Sequence, residues 1–286
     1  MPQSNFSVDL HVHTNASDGA LSPAQILEEA QWHGVSAVAI TDHDTVSGLP
    51  AALAAGRERN IEVIPGVELS CRYENTEVHL VGLLIEPDAK FIALLEHLRR
   101  CRETRMDKML ANLRSIFNIN VDKSELDVLP GTAFGRPHLA RALVAKGIVR
   151  NTSEAFDRFL GDNGPVYVER EHLSVADGIA MLHRIHGVSI LAHPGVSGIT
   201  DNLDVFREMG VMGMETHYPQ YSPAMEKKLS AYCGDWGLLQ SGGSDFHSNE
   251  RGGSLGAPHV PYEFLLQMKK KKEQLWPGSS ADSKTV

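Results

Sequence analysis

His11 and His13 stand two apart at the end of an apolar run, in VDLHVHTNASDG, with Asp18 five residues further on. FSVDL reads as a β-strand, in which alternate side chains share a face, so both imidazoles project the same way. Such a pair is either two surface histidines on an edge strand or one grip on a metal ion. The same residue types recur at matching places. Asp42, His43 and Asp44 follow VSAVAI, Glu68 ends IEVIPGVE and His79 begins HLVGLLI. His193 ends VSILAH, Glu215 and His217 end VMGMETH, and Asp245 and His247 follow GLLQSGGS. Taken singly, each is ordinary: Asp18 suits a turn in SDG, and Glu68 suits a surface charge. His33, His97, His172, His183, His186 and His259 read as structural histidines. Together, His11, His13, His43, His79, His193 and His247 with Asp18, Glu68 and Asp245 place more polarity after buried strands than an interior accepts without a compensating ion.

Imidazole and carboxylate without thiolate suit Mn, Zn or Fe(II) rather than Cu(I) or Ca. So many ligands exceed the needs of one ion and point to two or three divalent ions. Three carboxylates leave such a site positive, and it attracts an anion such as phosphate. Several metals together can activate water and clamp the attacking and leaving oxygens of a phosphoester.

The elements that must deliver these residues alternate. SPAQILEEAQWHG predicts a helix with Ser22 as N-cap, Pro23 in the first turn, Gln25 completing a capping box and Gly34 as the stop. VSAVAIT is a buried strand, SGLPAALAAGRERN a helix, and IEVIPGVELS and EVHLVGLLI two further strands. Alternating strands and helices predict a parallel sheet covered by helices. In a parallel α/β barrel the strand ends converge at one face, which gathers the polar residues at one rim. The pattern changes near Pro87. Residues 89–117 form a long helical stretch, shorter helices follow near 136–147 and 152–160, and no buried strand is expected before Val188. The chain therefore divides into 1–87 and 176–286, a barrel, and 88–175, a mostly helical insertion capping the site. GVSILAHPG, VMGMETHYP and GLLQSGGSDFH resume the alternation. A closing helix begins near Tyr262, its Lys269–Lys272 run complements the helix dipole, and WPGSSADSKTV reads as disordered.

The chain has 286 residues, 42% hydrophobic and 22% charged, with net charge -9. That allows a large core and argues against holding long duplex nucleic acid by charge. Cys71, Cys101 and Cys233 are too scattered for a disulfide framework or thiolate zinc cluster. The N-terminus lacks a basic segment before an apolar core, and no apolar run is long enough to span a bilayer. A cytoplasmic protein is expected, with no membrane contact and no protein partner predicted.

DLHVHTNASDG, AITDHDT, IPGVELS, EVHLVGL, LAHPG and GSDFH, in this order, resemble the polymerase and histidinol phosphatase (PHP) family of metal-dependent phosphoesterases. The resemblance implies a distorted (β/α)7 TIM-like barrel and a site holding up to three ions, often Mn, Fe or Zn, with Mn expected. Carried over by position, His11, His13 and Glu68 would bind one ion. Glu68 would bridge to a second, held also by His79 and His193. Asp18, His43 and His247 would hold the third, and Asp245 would ligate the first ion or bridge. Asp9, Asp42 and Asp44 would orient ligands.

Within that family the chain more closely resembles the branch with an inserted helical domain, which includes nucleoside 3′,5′-bisphosphate phosphatases, 5′–3′ exoribonuclease-like members and cyclic phosphate diesterases. There Arg136 and His138, in GRPHLARALV, become candidates for binding substrate phosphate at a helix start. Some nucleotide-acting relatives carry Ser/Thr-Arg-Thr/Gly-His at this place. Arg102 and Arg105 are further substrate-binding candidates. His217 or His138 would protonate a leaving group, after in-line attack by a metal-bound hydroxide. The expected function is hydrolysis of a phosphate ester on a small nucleotide-like substrate, a nucleoside 3′,5′-bisphosphate first. A cyclic phosphodiesterase and a 5′–3′ oligoribonucleotide exonuclease are the enzymatic alternatives. The other class is a metal- or nucleotide-sensing accessory domain.

Overall fold

The computed structural model describes residues 7–126, 128, 134–161, 164–169, 171–248 and 253–279. Strands β1 (Ser7–Val12), β2 (Val35–Ile40), β3 (Glu62–Tyr73) and β4 (Thr76–Leu83) are followed by the short β5 (Leu173–Ser174). After them come β6 (Val188–Leu191), β7 (Gly213–His217), β8 (Leu239–Gly242) and β9 (Val260–Pro261). They hydrogen-bond in the order β8-β7-β6-β4-β3-β2-β1-β9, with β5 on β3. A bridge between Val12 and Phe246, just past β8, brings the two ends of the sheet together. The result is the expected distorted barrel.

β4 departs from the parallel pattern, running antiparallel to both β3 and β6. Only Glu74 and Asn75 separate β3 from β4, and Glu74 has a left-handed φ of 51°. Two residues make a hairpin, whereas a parallel return needs a dozen or more. The periodicity of EVHLVGLLI identified a strand without giving its direction. β5 and β9 were not expected, being two residues each.

Helices α1 (Pro23–Trp32) and α2 (Leu49–Arg59) cover the first βα units. α1 has the expected capping box, Ser22 with Gln25, and stops before Gly34 at φ +68°. α3 (Ala89–Phe117), α4 (Arg136–Ala145) and α5 (Thr152–Ala155) follow β4, and α5 runs into a π-helical turn, Phe156–Leu160. Residues of this stretch, from Met106 to Val166, share a hydrophobic cluster of their own, including Leu113, Leu139, Leu143 and Phe159. α6 (Val175–Arg184), α7 (Leu203–Glu208), α8 (Pro223–Trp236) and α9 (Tyr262–Leu275) complete the chain.

Two clusters hold the barrel. One joins Val8, Leu10, Ala39, Ile64, Val81 and Ile190 to Leu265 and Met268 of α9. The other packs Ile26, Leu27, Leu53, Ile179, Leu182 and Leu229 of the surrounding helices against the sheet. Each such Val, Leu, Ile or Met side chain contributes about 1.5–3 kcal/mol when fully buried. α9 closes the end of the barrel where the parallel strands begin. Tyr262 and Lys269 bond Glu62 at the start of β3, while Lys272 is buried and donates to the Leu84 carbonyl past the end of β4. Two members of the lysine run thus make tertiary bonds. Of the tail expected to be disordered, residues 280–286 lie outside the described residues. Among the described residues no helix is long and apolar enough to cross a membrane.

Candidate metal centre

The strand-end residues do converge. β1 carries a register irregularity against β2 between Asp9 and Val12. Leu10 belongs to the cluster shared with α9, and Val12 to the one beneath the outer helices. Such a bulge re-aims the strand, so His11 and His13 stand over the layer that Leu10 fills. Both imidazoles are fully buried.

Glu68 is the hub. Its Oε2 lies 3.3 Å from His11 Nε2, 3.1 Å from His13 Nε2 and 3.1 Å from His43 Nδ1. Its Oε1 lies 2.8 Å from His79 Nδ1 and 3.2 Å from His193 Nε2. Asp245 Oδ1 lies 3.2 Å from His13 Nε2, and Asp18 Oδ1 lies 3.3 Å from His247 Nε2. Donor atoms of His13, Asp18, His43 and His247 fall within 4.8 Å of one another. So do those of His11, His13 and Asp245, and those of His43, Glu68 and His79.

The arrangement demands positive charge. Burial disfavours ionised carboxylates, yet the surrounding imidazoles hold Glu68, Asp18 and Asp245 well below the usual carboxylate range. Burial likewise opposes a charged His79, but Glu68 and Glu77 drive it up to about 10. His43 goes the other way, down to about 3, because burial dominates. His13 Nδ1 and His43 Nδ1 are buried and make no hydrogen bond among the described residues. Buried acids among imidazoles with unused ring nitrogens fit divalent cations.

Other carboxylates hold the ligands. Glu215, fully buried, places Oε1 2.8 Å from His11 Nδ1 and accepts from the His193 backbone N–H at 2.6 Å. Asp42 accepts from the Thr14 N–H, the Thr14 hydroxyl and the Ser17 hydroxyl, which stiffens the loop bearing Asp18. Asp9 accepts from the Ser244 and Gly256 N–H groups and so anchors the segment carrying Asp245 and His247. Asp44, His193 and Asp245 all have φ between 32° and 49°, a left-handed conformation rare outside glycine. Such backbone is held in place by its surroundings and clusters at functional sites. Gly243 is required where it stands, since a Cβ there would meet the His11 backbone nitrogen at 2.5 Å.

A family model described as PHP domain matches residues 9–155. The chain belongs to the PHP family. A 5′-3′ exoribonuclease of Haemophilus influenzae is 34% identical over 245 residues, covering 84% of this chain and 89% of its own. A 3′,5′-nucleoside bisphosphate phosphatase of Chromobacterium violaceum is 31% identical, covering 86% and 89%. A structure from Bifidobacterium adolescentis, assigned as a metal-dependent phosphoesterase, superimposes with a TM-score of 0.86 at 26% identity, covering 93% and 96%. This PHP protein is accordingly a metal-dependent phosphoric ester hydrolase.

Around the metal centre of the PHP barrel a cavity of about 480 Å³ is lined by Asp18, His43, Glu68, His79, His193, Asp245 and His247. Arg102, Arg105, Arg136 and Phe156, from the segment after β4, line it too. Arg136 lies 3.6 Å from Glu77 and donates to the Leu160 carbonyl at 3.2 Å. Arg102 is buried and donates to Asp44 at 2.6 Å and to the Ser70 hydroxyl at 2.5 Å, so its charge is matched within the protein. Arg105 donates to the Val168 carbonyl at 2.6 Å and faces the Tyr167 ring.

Neither expected proton donor lines this cavity. His138 is buried near Asp18, and its Nδ1 accepts from the Gly135 N–H at 3.0 Å where α4 opens. Burial pushes it down to about 4, so it is neutral near pH 7. His217 packs edge-on against Phe264 of α9, with ring centroids 5.4 Å apart. A register irregularity between Glu215 and His217 breaks the alternation that would have put both on one face. Glu215, Glu77, Tyr218 and Phe156 are the site residues the sequence reading left out. Glu215 alone carried a signal, its place at a strand end.

Proposed function

We propose that this protein hydrolyses a phosphate ester of a small nucleotide-like substrate, with a nucleoside 3′,5′-bisphosphate as the best-supported class. Two or three divalent ions, Mn first, would be held by His11, His13, Asp18, His43, Glu68, His79, His193, Asp245 and His247. The observation that carries the reading is Glu68, whose two oxygens face two different sets of imidazoles, as a carboxylate bridging two ions does. Bound there, the ions supply Lewis acidity to the phosphoryl oxygens and acidify water.

The protein's own residues do the rest. Glu215 and Asp42 fix ligand orientation. The segment 88–175, read as a cap, shields the phosphate from bulk water and presents Arg136 to it, exchanging the Glu77 contact for the substrate. Arg105 adds positive potential from a fixed position, while Arg102, its charge matched by Asp44, braces the wall beside it. A second cavity of about 710 Å³ shares His79, Arg136 and His193 with the first and continues to Arg72, Tyr167 and His172. It leaves room for a substrate longer than one phosphate, with Tyr167 beside a base and Arg72 exchanging its ion pair with Glu169 for a second anion.

The same extended groove favours a second reading, a 5′–3′ exonuclease on short RNA, in keeping with the Haemophilus relative. The test is phosphate release by Mn-loaded protein. The panel comprises adenosine 3′,5′-bisphosphate, AMP, a 2′,3′-cyclic nucleotide, a ribose cyclic phosphate, a 5′-phosphorylated trinucleotide and histidinol phosphate. Selective turnover of the bisphosphate is expected. Selective turnover of the trinucleotide or of a cyclic ester moves the assignment to that class. Turnover of no member would move the substrate to a phosphosugar ester outside this panel.

A further inference from the structure

Away from the barrel rim, α3 and the segment before β5 bring together three side chains that the phosphoesterase chemistry does not use. His97 and Cys101 are four apart on α3 and therefore neighbours on one helix face. Glu171 comes from the segment just before β5. The His97 Nε2 to Glu171 Oε2 distance is 3.2 Å, His97 Nε2 to Cys101 Sγ is 3.7 Å, and Cys101 Sγ to Glu171 Oε2 is 3.8 Å. They form a mutually close donor set.

Those edges can be compared with a coordination polyhedron. Zinc bonds of about 2.3 Å to sulfur and about 2.0–2.1 Å to nitrogen or oxygen, at tetrahedral angles, put a nitrogen and an oxygen about 3.3 Å apart and sulfur about 3.5 Å from either. The three measured edges lie within about 0.3 Å of these values, so the triangle needs little adjustment to close on an ion. The fourth position would face solvent, as in three-ligand zinc sites that keep a water.

From this geometry we propose that His97, Cys101 and Glu171 form a second metal site, separate from the barrel cluster and selective for zinc or another borderline-soft divalent ion. The ligand chemistry distinguishes the two sites. The barrel cluster offers imidazole and carboxylate only, whereas this one adds a thiolate, which favours zinc over Mn or Mg. Binding transfers the Cys101 thiol proton to solvent and leaves thiolate and carboxylate charge to balance the dication. The ion would tie α3 to the segment leading back into the barrel. Arg105, one turn beyond Cys101, already bonds Val168 of that segment. An occupied site therefore fixes the wall that carries Arg102 and Arg105 to the main cavity.

The test uses full-length, reduced, metal-free protein titrated with Co(II). A thiolate-to-cobalt charge-transfer band in the near ultraviolet arises only from a cysteine ligand. The barrel cluster contains none, and Cys71 and Cys233 are fully buried. The band is expected to saturate with one ion. Cys101→Ala should abolish it and lower bound zinc by one ion per chain, while phosphoesterase turnover on the Mn-loaded protein persists. His97→Ala and, at the more exposed position, Glu171→Gln should each weaken the Co(II) affinity at least 10-fold with far-ultraviolet circular dichroism unchanged. A missing band in the unsubstituted protein, a band that survives in Cys101→Ala, or equal zinc content in the two would overturn the site. None of these outcomes bears on the barrel cluster, which the band does not report.

Discussion

At the scale of single residues, what separates this centre from a scatter of polar strand ends is that its candidate ligands are themselves held by buried carboxylates. Glu215 is the sharpest case. One oxygen orients the His11 ring and the other fixes the His193 backbone, so a single buried carboxylate sets two candidate ligands, one in β1 and one just past β6. Groups that orient metal ligands in this way cost 10–100-fold, roughly, in metal affinity or activity when removed. Glu215→Gln keeps the shape but weakens both bonds. It should lower Mn affinity by about 10-fold or more and reduce turnover, with thermal stability little changed. Equilibrium dialysis with Mn checks this, and an affinity equal to that of the unsubstituted protein would remove Glu215 from the centre.

At the scale of elements, Arg102 is a staple before it is a ligand for substrate. It runs from α3 to Asp44 just past β2 and to Ser70 in β3. Asp44 also accepts from the Ser70 N–H at 2.9 Å. Removing one partner of a buried ion pair leaves an uncompensated charge and costs about 3–5 kcal/mol. Arg102→Ala should therefore destabilise the protein by about that much in urea unfolding and lower activity through a displaced α3. A loss of activity with undiminished stability would instead make Arg102 a direct phosphate contact. His138 belongs to this scale as well. The motif GRPHL correctly marked a helix start, but its histidine bonds the Gly135 N–H where α4 opens and does not line the cavity over the metal cluster.

For the whole molecule, α9 is the floor that keeps the strand origins together, and Lys272 is its buried peg. Its ammonium donates to the Leu84 carbonyl at 2.5 Å and to Glu86 at 2.8 Å. Burial of Glu86 opposes its ionisation, but hydrogen bonds from Lys272 and His186 outweigh this and hold it below its ordinary value of 4.5. A carboxyl with a depressed folded-state value adds stability above the unfolded value and loses it as pH falls through the folded one. Lys272→Met, which strands a carbonyl and a carboxylate, should cost about 1–3 kcal/mol at pH 7. The gap between the two proteins should narrow as pH drops below 4.5. A pH-independent gap in thermal unfolding would mean that Lys272 acts by packing alone.

Much of the candidate centre was legible in the chain because its residues obey strand-end placement, a local rule. That His11, His13, Asp18, His43, Glu68, His79, His193, Asp245 and His247 meet at one rim follows from their places in the sequence, as does the α1 capping box. The family pattern was legible for the same reason, since short motifs at strand ends carry it. What tertiary structure alone decided depends on register and on partners distant in sequence. A bulge turned His217 toward α9 while Glu215, two residues earlier, stayed with His11. A two-residue turn reversed β4. Arg102 met Asp44 across 58 residues, and His97 met Glu171 across 74. Periodicity says which residues want to be buried; which atoms they meet there is settled only when the sheet closes and the helices pack.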